Sequence, residues 1–337
     1  MKTLVVGATG QLGTAVVHEL RRSPHEPLAF VRPGSSFSHL AAAGVELAFG
    51  DLRDDASVRA AVRGVDAVIA TASVVFPRGR ASFADDEGRG YRNLIAACEG
   101  AGVGQLVFVS NHAPYIDPYL ERVPSLRLKR EIEHRLEDGS VPYTIFRSAP
   151  FMDDYFALIG SDIPLRGAQN ATLDRPFWFS RRYVQRTARL IERYGIASIP
   201  GGVHARNAFI ALDDVARFLV NALGHEAARN TLQVIGGPEN MSWQEVVDLY
   251  AQLLGRPVRA MPSSPASNRI GAALLRRLSP SAANQLGLLW VLSESENVVD
   301  EPAAVARLFD VELTTARSFL EAKLALPHSA AVPSPAS

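Results

Sequence analysis

A short β-rich run, Lys2-Thr3-Leu4-Val5-Val6, leads directly into Gly7-Ala8-Thr9-Gly10-Gln11-Leu12-Gly13, and this junction constrains the fold more than any other part of the 337 residues. Glycines at this spacing allow a tight turn, a close approach of backbone to a ligand, and close packing of the next helix on the strand. The first N–H groups of that helix have no partner inside it, and with the helix dipole they form a seat for an anion such as a pyrophosphate. Leu12, Val16 and Leu20 recur every fourth residue and give the helix one apolar face. A chance glycine turn is the plain alternative. The strand before the loop and the helix after it argue instead for the opening of a βαβ dinucleotide-binding unit.

The chain beyond this unit keeps the same rhythm. Strands are predicted at Lys2 to Val6, Leu28 to Val31, Val45 to Phe49, Ala67 to Ala70, Leu106 to Val109 and Tyr143 to Phe146, separated by helical patterns. Nearly all of these residues are apolar, as in parallel strands covered on both faces. After Phe151 the chain is punctuated by Pro164, Gly167, Pro176, Pro200, Gly201 and Gly202, which suits loops and short elements over a ligand. Asn207 to Leu212 reads as a strand, with Asp213-Asp214 capping a helix that stops at Gly224. Leu232 to Ile235 reads as one more strand, returning to the first sheet. Ser242-Trp243-Gln244-Glu245 has the form of a capping box, and Gly255 closes the helix it opens. Pro262 to Ser267 reads as a linker, helices continue to about Lys323, and His328 to Ser337 reads as a frayed tail.

The expected fold is therefore α/β, a doubly wound parallel sheet of Rossmann type; the family resemblance given below implies in addition a smaller, mostly helical C-terminal substrate domain. Residues 1–150 with about 207–237 form the first domain, 151–206 with 238–326 the second, and 327–337 a flexible tail.

The tip of the second strand bears on which dinucleotide is bound. A carboxylate there accepts from a ribose 2′-OH and repels a 2′-phosphate. Here the strand ends Phe30-Val31-Arg32, and the planar guanidinium of Arg32 favours NADP over NAD. Asp51, in Gly50-Asp51-Leu52 after the third strand, either reaches the adenine amino group or forms the turn.

Bulk properties remove several function classes. Thirty-five basic and 35 acidic residues leave no net charge, so the total gives no argument for nucleic acid or an anionic surface. No apolar stretch approaches the roughly 18 residues needed to span a bilayer, and the N-terminus reads as a strand rather than a signal peptide, so a cytoplasmic protein is expected. Cys98 is the only cysteine, which excludes an intramolecular disulfide and a cysteine metal cluster, and it reads as a buried small hydrophobe. No His, Asp and Glu set has zinc spacing, so no metal is expected, and no serine stands in a nucleophile elbow.

Taken together, Gly7 to Gly13, Val31-Arg32, Gly50-Asp51-Leu52, Phe108-Val109-Ser110, Lys129, Pro142-Tyr143-Thr144-Ile145 and Asp214-Val215-Ala216 resemble the atypical short-chain dehydrogenases/reductases of the NmrA-like group. The branch of photosystem II assembly factors is the nearest likeness; isoflavone reductases and the NADPH-binding accessory subunit of complex I are more distant. The resemblance covers roughly residues 1 to 325. It implies that Gly7, Thr9, Gly10, Gln11, Leu12 and Gly13 hold the pyrophosphate, with Arg32, Asp51 and Leu52 at the adenosine end. It further implies that Ala70, Thr71, Ala72 and Ser110 lie at the nicotinamide, that Lys129 reaches the nicotinamide ribose, and that Ser148, Ala149, Pro150 and Phe151 cover the ring.

Familiar members of this superfamily carry a tyrosine four residues before the lysine, on the same helix face, as proton donor. Ser125 stands there in this chain, and its hydroxyl is too short and too weak an acid to replace a phenol. Isoflavone reductases transfer hydride with the lysine alone. Tyr115 and Tyr119 are nearby in sequence but read as structural. Lys129 and Ser110 are thus the catalytic candidates. Asn111, His112, Phe151 and Asp154 are the substrate-binding ones, although His112 also reads as structural and Asp153-Asp154 as a helix N-cap. Phe177-Trp178-Phe179 either lines a pocket or belongs to the core, and Arg181, Arg182, Arg186 and Arg189 form a solvated helix face or attract an anionic substrate.

Two functions fit. One is an NADPH-dependent oxidoreductase acting on a small, fairly apolar carbonyl, enone or quinone. The other is a non-catalytic NADP-binding redox sensor or assembly factor with a protein partner, which Ser125 supports. An epimerase would need the missing tyrosine.

Overall fold

The computed structural model describes residues 1–73, 87–174, 182–183 and 186–327. Phe177-Trp178-Phe179, Arg181 and the tail from His328 lie outside the described residues.

Six parallel strands alternate with helices along the first half of the chain: β1 (Lys2–Val6), α1 (Gln11–Leu20), β2 (Glu26–Val31), α2 (Ser38–Ala42), β3 (Glu46–Phe49), α3 (Asp55–Ala61), β4 (Ala67–Ala70), α4 (Arg89–Ala101), β5 (Gln105–Asn111), α5 (Tyr119–Arg122), α6 (Pro124–Asp138) and β6 (Tyr143–Ser148). After α7 (Met152–Leu158), α8 (Leu190–Tyr194), β7 (Ile196–Ile199), β8 (Arg206–Asn207) and α9 (Leu212–Asn221), a late strand β9 (Thr231–Ile235) joins the same sheet. Its order is β3-β2-β1-β4-β5-β6-β9. Every pairing in it is parallel. The order reverses between β1 and β4, and in open α/β sheets a ligand crevice forms at the carboxyl ends of the strands beside such a switch point.

The sequence alternates faces as a two-sided sheet requires. Val5, Ala29, Ile69 and Val107 pack beneath α1 and α9 with Val16, Leu20, Val215 and Phe218. Leu4, Val6, Phe30, Val68 and Phe108 pack on the other face with Val58, Leu94, Ile132 and Leu136. Cys98 belongs to this second face, and burial raises its thiol pKa to about 12. Buried polar groups fix the late strand. Gln105 Nε2 donates to Ala222 O at 2.9 Å, its Oε1 accepts from Gly224 N at 2.9 Å, and Thr144 Oγ1 donates to Ala228 O at 2.8 Å.

The stretch Asn207 to Leu212 corrects the sequence reading. Only Arg206–Asn207 is strand, paired with β10 (Met241–Ser242), and α9 begins at Leu212 with Ala211 as its N-cap. Ala208 and Ile210 enter the sheet-side core while Phe209 and Ala211 enter another. The two-residue period is therefore real, but the backbone is hydrogen-bonded to Pro150, Met152 and Asn297 rather than to a long ladder. Asp213 and Asp214 lie in the first turn instead of capping it. Asp214 is buried and accepts from Thr314 N and Oγ1 at 2.7 and 2.8 Å, so this part of the family motif is a structural clasp.

Beyond β10, α10 (Trp243–Leu254) opens with the expected reciprocal Ser242–Glu245 capping box and closes on Gly255. Pro262 to Ser267 is not a linker: Pro262 ends β11 (Arg259–Pro262), and Pro265 starts α11 (Pro265–Leu275), where a proline at the first turn costs no hydrogen bond. Helices α12 (Pro280–Glu294), α13 (Pro302–Leu308) and α14 (Ala316–Leu324) complete the described chain. Met152, Phe156, Phe209, Trp243, Tyr250 and Phe319 form a separate apolar cluster there.

Candidate functional site

One continuous cavity of about 470 Å³ runs along the carboxyl ends of the strands, from Arg32 and Gly10 at one end to Lys129 and the side of α12 at the other. Gly7 has φ +91°, and a Cβ there would sit 2.6 Å from Ala72 N; a Cβ on Gly13 would sit 2.1 Å from Gly7 O. The glycines are thus needed for the turn and for seating α1 on β1. Helix α1 opens at Gly10 with no side-chain cap and no acidic residue in its first turn. Its leading N–H groups and the positive end of its dipole therefore remain available to an anion, as a dinucleotide's pyrophosphate requires. Gly7, Thr9, Gly10, Gln11, Leu12 and Gly13 all line the cavity. Gln11 Oε1 also accepts from Thr172 N at 2.8 Å, tying the later segment to the loop.

At the adenosine end Arg32, Asp51 and Leu52 line the wall together with Arg53, which the sequence reading did not single out. Arg53 grips Asp51 with two parallel bonds, Nε to Oδ1 at 3.0 Å and Nη2 to Oδ2 at 2.8 Å, and its backbone N–H reaches Oδ1 at 3.0 Å. The Arg53 side-chain bonds hold the Asp51 carboxyl down at about 2. Asp51 therefore forms the turn, one of its two expected uses, and fixes a second guanidinium near Arg32. The signal in the sequence was the Asp-x-Arg spacing.

At the other end Thr71, Ala72, Lys129, Ser148, Ala149, Pro150 and Phe151 line the cavity, as do Asn111, His112 and Asp154. Ala70 is fully buried in the core on the other face of the sheet, with Val68 and Phe108, and contributes no wall. Thr71 is held by its N–H and its Oγ1, both bonded to Val6 O, at 2.9 and 3.1 Å. Lys129 is only 6% exposed, which distinguishes it from a solvated helical lysine. Its Nζ donates to Val109 O at 3.2 Å, pairs with Glu87 Oε1 at 3.3 Å, and lies 4.7 Å from the Phe108 ring centroid. Glu87, another residue absent from the sequence reading, is 4% exposed and lies just before the start of α4.

Ser110 corrects the sequence expectation. Alternation along β5 turns Val109 and Asn111 to the cavity and Ser110 away from it. Ser110 Oγ lies 3.0 Å from the Tyr115 hydroxyl, which itself donates to Asn111 O at 2.8 Å. Both belong to a polar cluster around the Glu133–Arg147 pair, closed at 2.6 and 3.0 Å. Burial pushes the Glu133 carboxyl up, but bonds from Arg147, Ser110 and Arg130 outweigh it and hold it low. Tyr115 is thus structural, and its phenol is pushed upward mainly by burial. Tyr119 packs edge-on against Trp290 at 4.9 Å.

The remaining candidates divide between wall and scaffold. His112 donates from Nε2 to Val298 O at 3.0 Å, which fixes its ring at the cavity wall, and burial lowers its pKa. Asp153 turns away from the wall, accepting from Leu212 N at 3.0 Å and pairing with Lys323 at 3.5 Å, while Phe151 caps α7. Arg182 and Arg186 are exposed, and Arg189 pairs with Asp162 at 3.2 Å; none of the three lines the cavity.

Opposite Lys129, α12 supplies a wall the sequence did not reveal: Leu288, Val291 and Leu292, with Asn284 and Gln285 among them. Asn284 is 1% exposed, and its Oδ1 accepts from Ser125 N at 3.0 Å. The buried Ser125 Oγ has no hydrogen-bond partner among the described residues.

The family model described as NmrA-like family matches residues 1–270 of the chain. The chain belongs to the NmrA-like family. Among its relatives, a photosystem II assembly factor of Trieres chinensis is 26% identical over 285 residues, covering 83% of this chain and 75% of that protein. An NAD(P)H azoreductase of Xenophilus azovorans is also 26% identical, over 76% of this chain and 75% of its own length. The NADPH-dependent quinone oxidoreductase of Escherichia coli, solved with NADPH, superposes with a TM-score of 0.71 at 20% identity, covering 96% of this chain and 99% of that one. At that identity the likeness is one of fold, so the chemistry of this NmrA-like chain is argued from its own cavity.

Proposed function

We propose that this protein is an NADPH-dependent oxidoreductase acting on a small, fairly apolar carbonyl, enone or quinone. One observation carries the reading: a single cavity joins an uncapped, acid-free helix N-terminus and two arginines to a buried lysine facing an apolar wall. The parts fit a dinucleotide in order. Backbone N–H groups at Gly10 to Gly13 take the pyrophosphate, and Arg32 and Arg53 take the 2′-phosphate, whose charge repels a carboxylate but suits planar guanidinium forks. Lys129, fixed by Glu87 and Val109 O, presents its remaining N–H to the ribose next to the nicotinamide. When bound, NADPH supplies a hydride to an electrophilic carbon of the substrate, becoming NADP⁺, while the substrate oxygen gains a proton from water.

The residues of the chain do the rest. Leu288, Val291, Leu292 and Phe151 exclude water from an apolar ring, and Ser125 Oγ with Asn284 Nδ2 offers two donors to its carbonyl oxygen. Ser110 is removed from the proton path because its hydroxyl points into the Tyr115–Glu133 cluster.

A second reading is supported by Ser125 in place of the phenol and by the assembly factors among the relatives: a non-catalytic NADP(H)-binding sensor or assembly factor. The deciding experiment identifies the nucleotide that co-purifies, then follows NADPH consumption with quinones, enones and aldehydes for the wild type and Lys129→Ala. Turnover lost in the variant supports the enzyme; tight NADPH binding with no turnover on any class supports the sensor.

A further inference from the structure

Helix α11 buries one face on α12 and leaves the other bare. Gly271 lets it approach so closely that a Cβ there would lie 2.9 Å from Leu286 Cδ1. Ile270 and Leu274 on its outer side are 56% and 71% exposed, and Leu278, in the turn that follows the helix, is 83% exposed. Arg269, Arg276 and Arg277 stand exposed beside them. The surrounding sequence is one-sided as well: residues 249–293 contain five arginines and no Asp or Glu, in a chain whose total charge is zero. Single exposed aliphatic side chains are ordinary, but Ile270, Leu274 and Leu278 clustered along the helix and the turn after it, with arginines as the only charged neighbours in sequence, are not.

We propose that α11 docks this protein on an anionic lipid surface, its leucines entering the acyl boundary and its arginines meeting the headgroup phosphates. Apolar side chains on one face with Lys or Arg beside them are the composition of interfacial helices, where burial and charge attraction add. A twofold contact between copies would set this arginine set against itself, because such an interface pairs a surface with its own image. The leucines project from a convex helix rather than line a groove, a shape that suits a fluid layer. No helix among the described residues is long and apolar enough to cross a membrane. The other side of α12 is the apolar cavity wall, so the lipid face lies one helix layer from the site. The docking proposal does not depend on which cofactor or substrate that site takes.

The test is co-sedimentation of the full chain with vesicles of phosphatidylcholine alone and of phosphatidylcholine with phosphatidylglycerol in equal parts. The expected result is binding to the anionic vesicles that fades with added salt, with little binding to the neutral ones. Leu274→Glu with Leu278→Glu weakens it by roughly tenfold or more, and Arg269→Gln, Arg276→Gln and Arg277→Gln together by on the order of a hundredfold. Both variants change exposed residues, so unchanged circular dichroism melts are expected and are checked first. No binding to anionic vesicles overturns the proposal, as does binding that survives both variants. A dimer seen in sedimentation velocity that Leu274→Glu dissociates assigns the face to a second copy and likewise overturns it.

Discussion

The two ends of the cavity are built from different materials. The pyrophosphate and adenosine end is assembled from backbone and from three short stretches, Gly7 to Gly13, Arg32 and Asp51 to Arg53, each just past a strand. The opposite end is assembled from side chains carried by α4's approach, α6, the β6–α7 turn and α12, so Glu87, Lys129, Phe151 and Asn284 meet only in three dimensions. A backbone cradle needs glycine at fixed spacings, so it leaves a mark in the sequence. A constellation of side chains does not, and it is also the part that can diverge without damage to the fold.

Five experiments break or sharpen that contrast. The largest effect is expected from Gly13→Ala, whose new Cβ meets backbone at Gly7 O. Loss of about 4 kcal/mol is expected, a fall in Tm of roughly 10 °C, and loss of nucleotide binding by calorimetry. Next is Lys129→Ala, which leaves Glu87 buried without its ammonium. Stability falls by about 3 kcal/mol, and any NADPH turnover falls on the order of a hundredfold. Adding Glu87→Gln restores the denaturation midpoint but not the turnover, separating the structural cost from the catalytic one.

Arg32→Ala or Arg53→Ala is expected to weaken NADPH about tenfold each while leaving NADH unchanged; equal losses for both nucleotides would remove the 2′-phosphate assignment. Asn284→Ala should raise KM about threefold for a quinone with kcat nearly unchanged, since it removes one donor from ground state and transition state alike. The smallest effect is that of Asp51. Its folded pKa, about 2, lies below the ordinary 3.8. The stabilisation it gives through Arg53 is therefore present above about pH 4 and fades as pH falls toward 2. Partial exposure and screening keep it below about 1 kcal/mol, and Asp51→Asn should flatten that acid limb of the stability curve.

The legible parts follow the same division. Periodicity located every strand of the main sheet to within a few residues, and the glycine loop located the cavity's first wall. Two of the readings that failed, and one residue that was missed, have identifiable reasons. Asn207 to Leu212 alternates like a strand because it is wedged between two cores, yet its hydrogen bonds go to irregular segments. Ser110 sits on the right strand, but one step of the pleat turns it to the wrong face. Asn284 was missed because it is remote in sequence from Ser125 and Lys129, and the helix pattern around it does not say which element it faces.

The late arrival of β9 bears on how the chain is made. It pairs Thr231 to Ile235 with Thr144 to Ser148, so β6 keeps an open row of backbone donors and acceptors while residues 149–230 are synthesised. During that interval Gln105 and Thr144 also lack the carbonyls of Ala222 and Ala228 that satisfy them later. A nascent or truncated chain ending before Thr231 therefore exposes a sticky border on an otherwise finished nucleotide module, the kind of intermediate that aggregates or recruits chaperones. The last strand thus acts as a closing seam, and translation must reach it before the module is safe in a crowded cell.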